Sequence, residues 1–122
     1  MKMARRGFTL IEMILVLVVI TIALFPLIES FSSGIRGSKI ASDTNTAIEL
    51  AQQKMEQLQS IPFASLSNSS EALGTIAGFA FFSREATVTE PLTNLKEVTV
   101  NVYWKSGIGT DQFGISSYFI NY

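Results

Sequence analysis

The chain contains no cysteine and no histidine. Without cysteine there is no disulfide, no thiolate nucleophile and no sulfur ligand for a metal. Without histidine there is no side chain whose ordinary titration falls near neutral pH, and the commonest imidazole base is missing. Charge is sparse as well: 16% of residues are charged, nine basic against ten acidic, for a net −1. That balance offers phosphates no general attraction and argues against broad nucleic-acid binding. Proline occurs three times and tryptophan once. What the 122 residues do hold is a 48% apolar composition, densest near the N-terminus, on a length that suits one modest domain.

From Phe8 to Ile28 there are 21 residues with Glu12 as the only charge. A helix of about 20 residues spans a hydrocarbon core of roughly 30 Å. Val16, Val18, Val19, Ile20 and Ile22 are β-branched, which in water favours a strand. In lipid only a helix satisfies every backbone group within one segment, so the stretch is expected to be helical. Lys2, Arg5 and Arg6 precede it with no acidic residue among them, which places the chain start on the cytoplasmic side. Glu12 stands about 6 Å along the helix from Phe8. A charge at the centre of a span costs about 2.5–3.5 kcal/mol on insertion scales, and less near an interface. The positive end of a helix also favours an anion there. On these grounds alone Glu12 is either an interfacial carboxylate reaching for water or a group with a task.

The run Arg5-Arg6-Gly7-Phe8-Thr9-Leu10-Ile11-Glu12, followed at once by the apolar stretch, resembles the N-terminus of type IV pilins and of their type II secretion relatives, the pseudopilins. The resemblance implies a leader of residues 1–7 that prepilin peptidase, an aspartic membrane protease, removes after Gly7. The same enzyme then methylates the new terminal residue, Phe8. Glycine suits the scissile position because it leaves the backbone accessible. Such a cut precedes the apolar run and keeps it, whereas an ordinary secretory signal is cut after its apolar stretch and loses it. The resemblance further implies that Glu12 pairs with the freed amine of Phe8 on a neighbouring subunit, each charge relieving the other's desolvation in the filament core. Loss of seven residues would leave 115, with six basic against ten acidic groups and a net −4. Implied partners are prepilin peptidase, other major and minor pilins or pseudopilins, and an inner-membrane assembly platform. The implied location is a single pass through the bacterial inner membrane, headgroup outside the cytoplasm, and then a filament. Many major pilins close a C-terminal loop with a disulfide, which this chain cannot do.

Helix signals continue past the span. Ile40, Thr44, Ala47, Ile48, Ala51, Met55 and Leu58 recur at the spacing of one helix face, with Asp43, Glu49, Gln52, Gln53, Glu56 and Gln59 largely elsewhere. Pro62 disfavours helical geometry at Ile61, so the helix should stop near Ser60. Read as one element, Phe8 to Ser60 would be about 80 Å long. Pro26 lacks an N–H and is expected to kink or loosen the helix; Gly34 and Gly37 each cost about 1 kcal/mol against alanine. Pilins often carry a helix-disturbing proline in this region, and the resemblance assigns Pro26 a kink used in assembly. A bent helix without mechanistic meaning explains it equally well.

Beyond Pro62, Ser65, Ser67, Asn68, Ser69 and Ser70 read as a polar loop. Strand patterns follow over 75–83, 84–90, 96–105 and 115–122, the clearest being Val98, Val100, Val102 and Trp104 alternating with Thr99, Asn101 and Tyr103. Pro91, Thr93 and Asn94 supply a turn, and Gly107, Gly109 and Gly114 around Asp111 a flexible connection. The last strand should lie at a sheet edge. The expected fold class is α+β and pilin-like: a long N-terminal helix, half membrane and half amphipathic, packed on a small antiparallel sheet through Ala47, Ala51, Met55 and Leu58. The divisions are a leader at 1–7, an assembly helix at 8–28, the amphipathic half at 29–61 and the headgroup at 62–122. Within the family, Leu50 to Leu58 and Lys96 to Trp104 resemble minor pseudopilins of the I type and minor pilins of the V type, which assemble into an initiating tip complex.

No constellation supports catalysis, and no enzyme, metal or cofactor is expected. Glu85, Glu90 and Glu97 are dispersed on strands, as a solvated face requires. Asp111 alone cannot build the six- to eight-oxygen shell of calcium. Phe79, Phe81, Phe82, Tyr103, Trp104 and Tyr118 could stack on single-stranded bases, although core packing accounts for most of them. Two alternatives stay open. One is a DNA-uptake pilin, which a basic patch of Arg84, Lys96 and Lys105 would favour. The other is a plain single-pass anchor or a secreted protein with an ordinary signal.

Overall fold

The computed structural model describes residues 7–107 and 109–122. One helix, α1 (Leu10–Gln59), is followed by a 3₁₀ turn (Phe63–Ser65) and four strands: β1 (Ser69–Glu71), β2 (Phe82–Leu92), β3 (Leu95–Ser106) and β4 (Gly109–Ile120). The strands form one antiparallel sheet in the order β1-β2-β3-β4. The chain divides into two compact units between Lys39 and Ile40.

The first unit is helix alone. Every described residue of α1 up to Lys39 is exposed. Its most apolar 18-residue stretch has a mean hydropathy of 2.8 with no part buried, which makes α1 long and apolar enough to cross a membrane. Pro26 lies inside the helix, where it has no N–H to offer the Ile22 carbonyl. Gly34 and Gly37 are helical too, with open space where a Cβ would stand.

The second unit is a helix laid on a sheet. Ala47, Leu50, Ala51, Met55 and Leu58 of α1 are buried against Phe82, Ala86, Val98, Val100, Val102 and Trp104. The expected cover stripe is therefore the one used, with Leu50 added at 2% exposure. The larger of these side chains, such as Leu50, Met55, Leu58 and the β3 valines, contribute about 1.5–3 kcal/mol each when fully buried. Strand β3 alternates buried and half-buried residues along most of its length, as its period of two requires. Together these elements make an α+β fold of pilin-like arrangement. The helix stops at Gln59, with Ser60 and Ile61 closing a turn before Pro62.

Four local expectations are corrected. The stretch 75–81 is not a strand. Thr75 N–H donates to the Ala72 carbonyl and Phe79 N–H to that of Ile76, both at 3.1 Å, while Gly74 and Gly78 take φ of +83° and +82°. Two tight turns with glycine in the left-handed region hold the segment, and Ile76 reaches the core from a turn. Ser69 and Ser70 are not loop residues but part of β1, paired with Ala86 and Glu85. Pro91 belongs to β2, at a register shift between Thr89 and Leu92, where a residue without an N–H interrupts the ladder. Gly109, Asp111 and Gly114 lie within β4, because Ser106 pairs with Gly109 across a two-residue connection. Gly114 faces Asn101, whose side chain a Cβ at 114 would strike. β4 is the edge strand expected at the C-terminus, begun six residues earlier than 115.

Candidate functional site

The residues singled out at the chain start fall on both sides of the helix boundary. Gly7, Phe8 and Thr9 precede α1 and Leu10 opens it. Residues 1–6 of the expected leader, Lys2, Arg5 and Arg6 among them, lie outside the described residues. Phe8, Leu10 and Ile11 are 76%, 81% and 70% exposed, so the Gly7–Phe8 bond stands clear of the fold.

Glu12 does more than sit near a positive helix end. Its backbone N–H donates to Thr9 Oγ1 at 3.3 Å, and the Thr9 N–H donates to Glu12 Oε2 at 3.5 Å. Thr9 and Glu12 thus form a reciprocal capping box, satisfying two of the amide donors that a helix start leaves without partners. The first main-chain bond of the helix, Met13 N–H to the Thr9 carbonyl at 3.2 Å, fixes Thr9 as the cap. The signal was present in Thr9-Leu10-Ile11-Glu12 as a threonine three residues before a glutamate, and the sequence reading passed over it. The arrangement lets one carboxylate fold back on its own chain start. Among the described residues, Oε2 is the carboxylate oxygen so engaged.

In the headgroup the three residues of the proposed basic patch are not a patch. Arg84 is 5% exposed and Lys96 8%, against an exposed Lys105. Arg84 forks onto Glu71: Nη2 donates to Oε1 at 3.1 Å and Nε donates to Oε2. Its Nη1 reaches α1, donating to the Leu50 carbonyl and to Gln53 Oε1, each at 3.1 Å. Lys54 joins from the helix, 3.6 Å from Glu71. The hydrogen bond from Arg84 holds the Glu71 carboxyl below the usual carboxylate range. Partial burial opposes this, and the charges of Arg84 and Lys54 add to it. Lys96 Nζ donates to the Phe63 carbonyl at 2.8 Å and lies 4.7 Å from the centre of the Phe63 ring. Both cations are spent inside the fold, which removes the observation that would have favoured nucleic-acid binding.

The aromatic residues separate in the same way. Phe82 and Trp104 are buried, with ring centres 6.0 Å apart, and Phe79 meets Phe82 edge-on. Phe81 and Tyr118 are exposed at 81% and 62%. Phe81 borders an open groove of about 480 Å³ that also involves Thr46, Ile76 and Phe79. Glu85 and Glu90 are solvated and Glu97 half-buried, and among the described residues no three potential ligands gather to hold a metal.

Residues 2–28 match the family model described as the prokaryotic N-terminal methylation motif, which covers less than a quarter of the chain. No curated protein and no solved structure matches the chain significantly. The matched stretch takes in Gly7, Phe8, Glu12 and the apolar run to Ile28, and it supports a type IV pilin-like substrate of prepilin peptidase that assembles with other pilins.

Proposed function

We propose that the chain is a minor pilin or pseudopilin: a non-enzymatic filament subunit made as a precursor, cut after Gly7 and methylated at Phe8. It waits in the inner membrane with its start in the cytoplasm, then joins the initiating tip of a type IV pilus or a type II secretion pseudopilus. The observation that carries this reading is the methylation motif at 2–28 together with a helix whose residues are all exposed from Leu10 as far as Lys39. Such a helix is at rest only in lipid or among like helices. Glu12 is the obstacle to leaving the interface for a filament core, since an unpaired carboxylate there is strongly unfavourable. The amine freed on Phe8 of a neighbouring subunit removes that obstacle by meeting the oxygen that Thr9 leaves unengaged. Pro26, near the end of the span, loosens the helix during this transfer.

The test is the mature N-terminus. Mass spectrometry of native material should give a methylated Phe8 as the first residue. Replacing Gly7 by leucine should abolish maturation, seen as a precursor heavier by seven residues. A native chain starting at Met1, or one starting past residue 30, would replace this reading with that of a plain anchor or an ordinary secreted protein.

A further inference from the structure

We infer that the exposed stretch of α1 docks on a second copy of the same chain, parallel to it and displaced by seven residues along the helix axis, so that Glu29 of one copy meets Arg36 of the other. From Leu10 to Lys39 the charged residues are Glu12, Glu29, Arg36 and Lys39, all of them exposed. Among the described residues Glu29 and Arg36 make no ion pair or side-chain hydrogen bond within the chain, whereas Lys39 has a partner.

Glu29 and Arg36 stand two helical turns apart, about 10.5 Å along the axis and close to one line on the helix surface. Within one helix they are not neighbours, because only positions three or four apart meet on its surface. Ser32 and Ser33 lie between them at those spacings, and small residues let a second helix approach closely. A parallel copy in level register would set Glu29 against Glu29 and Arg36 against Arg36. Displacing that copy by seven residues toward its own N-terminus replaces both repulsions with an opposite pair.

The apolar run carries a carboxylate at either end, Glu12 and Glu29, and one displacement serves both. Arg36 of the displaced copy comes level with Glu29 of the first. At the other end, Glu12 of the displaced copy approaches the freed amine of Phe8 on the first. Phe8 precedes the helix start. Its amine therefore stands about 6 Å behind its own Glu12 if the helical rise continues, and about 10 Å behind if Phe8 and Thr9 are extended. Both values lie within a side chain's reach of the seven-residue step. Displacement in the opposite sense brings neither pair together. Two pairs of different chemistry thus agree on the sense and the size of one step. The chain supplies every member of both pairs, which makes a second copy the occupant. An antiparallel copy would also match Glu29 with Arg36, but it would carry the apolar run across the membrane in the opposite sense. The freed amine and the parallel orientation rest on the proposed function; the spacing of Glu29 and Arg36 does not. A contact with an axial step cannot close into a ring, and it stays open-ended as a filament requires.

The experiment uses the full chain in its own membrane, with filament incorporation scored in sheared fibres. Glu29→Arg and Arg36→Glu should each lower incorporation at least tenfold with membrane insertion unchanged, and the double exchange should restore it to within about twofold. Because the chain has no cysteine, a short bismaleimide reports neighbours without background. Chains bearing Phe25→Cys mixed with chains bearing Ser32→Cys, seven residues apart and with both charges in place, should link into a dimer of twice the chain mass. Adding Glu29→Arg to both chains should abolish the link, and adding Arg36→Glu as well should restore it. Ser32→Cys alone should give no link, since only antiparallel or level copies bring position 32 against itself. Normal incorporation of either single exchange, no rescue by the double exchange, a Ser32→Cys self-link, or a link only to a chain of different mass would overturn the proposal. An uncleaved native N-terminus with the 25–32 link formed would sink the pilin reading alone; a mature, methylated Phe8 without that link would sink this one alone.

Discussion

Along α1, Leu10–Lys39 buries no residue, whereas Ala47, Leu50, Ala51, Met55 and Leu58 are buried farther on. From Leu10 to Ile28 apolar residues occur on every side, with no polar face for water. In the second stretch they keep to one stripe, and the stripe has found a sheet. One helical backbone therefore serves two solvents: a stretch that requires an apolar medium all round, and a stretch that requires one apolar partner. The first stretch draws its stability from its surroundings and the second from its own chain. Changes in the first should disturb location and assembly with the headgroup intact, and changes in the second should do the reverse.

The sharpest break in that division is Glu12→Ala. The variant should insert in the membrane normally while filament incorporation, scored by immunoblot of sheared or pelleted fibres, falls at least tenfold; normal incorporation would remove the pairing role. Next in size is Leu50→Ala, which should cost the headgroup about 2–5 kcal/mol in denaturant unfolding and leave N-terminal processing untouched. Arg84→Ala should follow at about 2–3 kcal/mol, because the Leu50 carbonyl loses its side-chain donor and Glu71, still partly solvated, keeps only Lys54. The smallest effect is a pH dependence. The Glu71 carboxyl is lowered in the folded chain, chiefly by its hydrogen bond from Arg84. Its contribution is thus complete above the ordinary glutamate value of about 4.3 and fades as pH falls below that through the lowered value. Glu71→Gln should flatten the unfolding free energy over that acid window and leave it unchanged in slope near neutrality; an equal acid dependence in the variant would shift the cause to other carboxylates.

Much of this was readable before any coordinates. The membrane-length run, the stripe from Ala47 to Leu58, the end of α1 before Pro62 and the alternation of β3 each follow from a single period or a single breaker. What escaped were features set by pairs distant in sequence. Phe79 and Phe81 look like a strand because they are aromatic and clustered, yet Gly74 and Gly78 bend the chain and the strand begins only at Phe82. Ser69 and Ser70 look like loop because they are small and polar, yet β2 supplies hydrogen-bonding partners 15 to 17 positions later. Arg84 looks like a surface charge until Glu71, Gln53 and the Leu50 carbonyl are brought to it. At the candidate site the motif is legible, and a threonine three residues before a glutamate carries the signal for the Thr9–Glu12 bonds as well.

Arg84 and Lys96 both grip main-chain carbonyls, one in the helix at Leu50 and one just after it at Phe63. Traction on the C-terminal end of α1 is therefore delivered to β2 and β3, the two central strands, and Glu71 of β1 shares it through Lys54 and Arg84. Of the segment between β1 and β2 only Ile76 is buried in the core, so the exposed residues on either side of it are where length and composition can vary while the subunit is pulled.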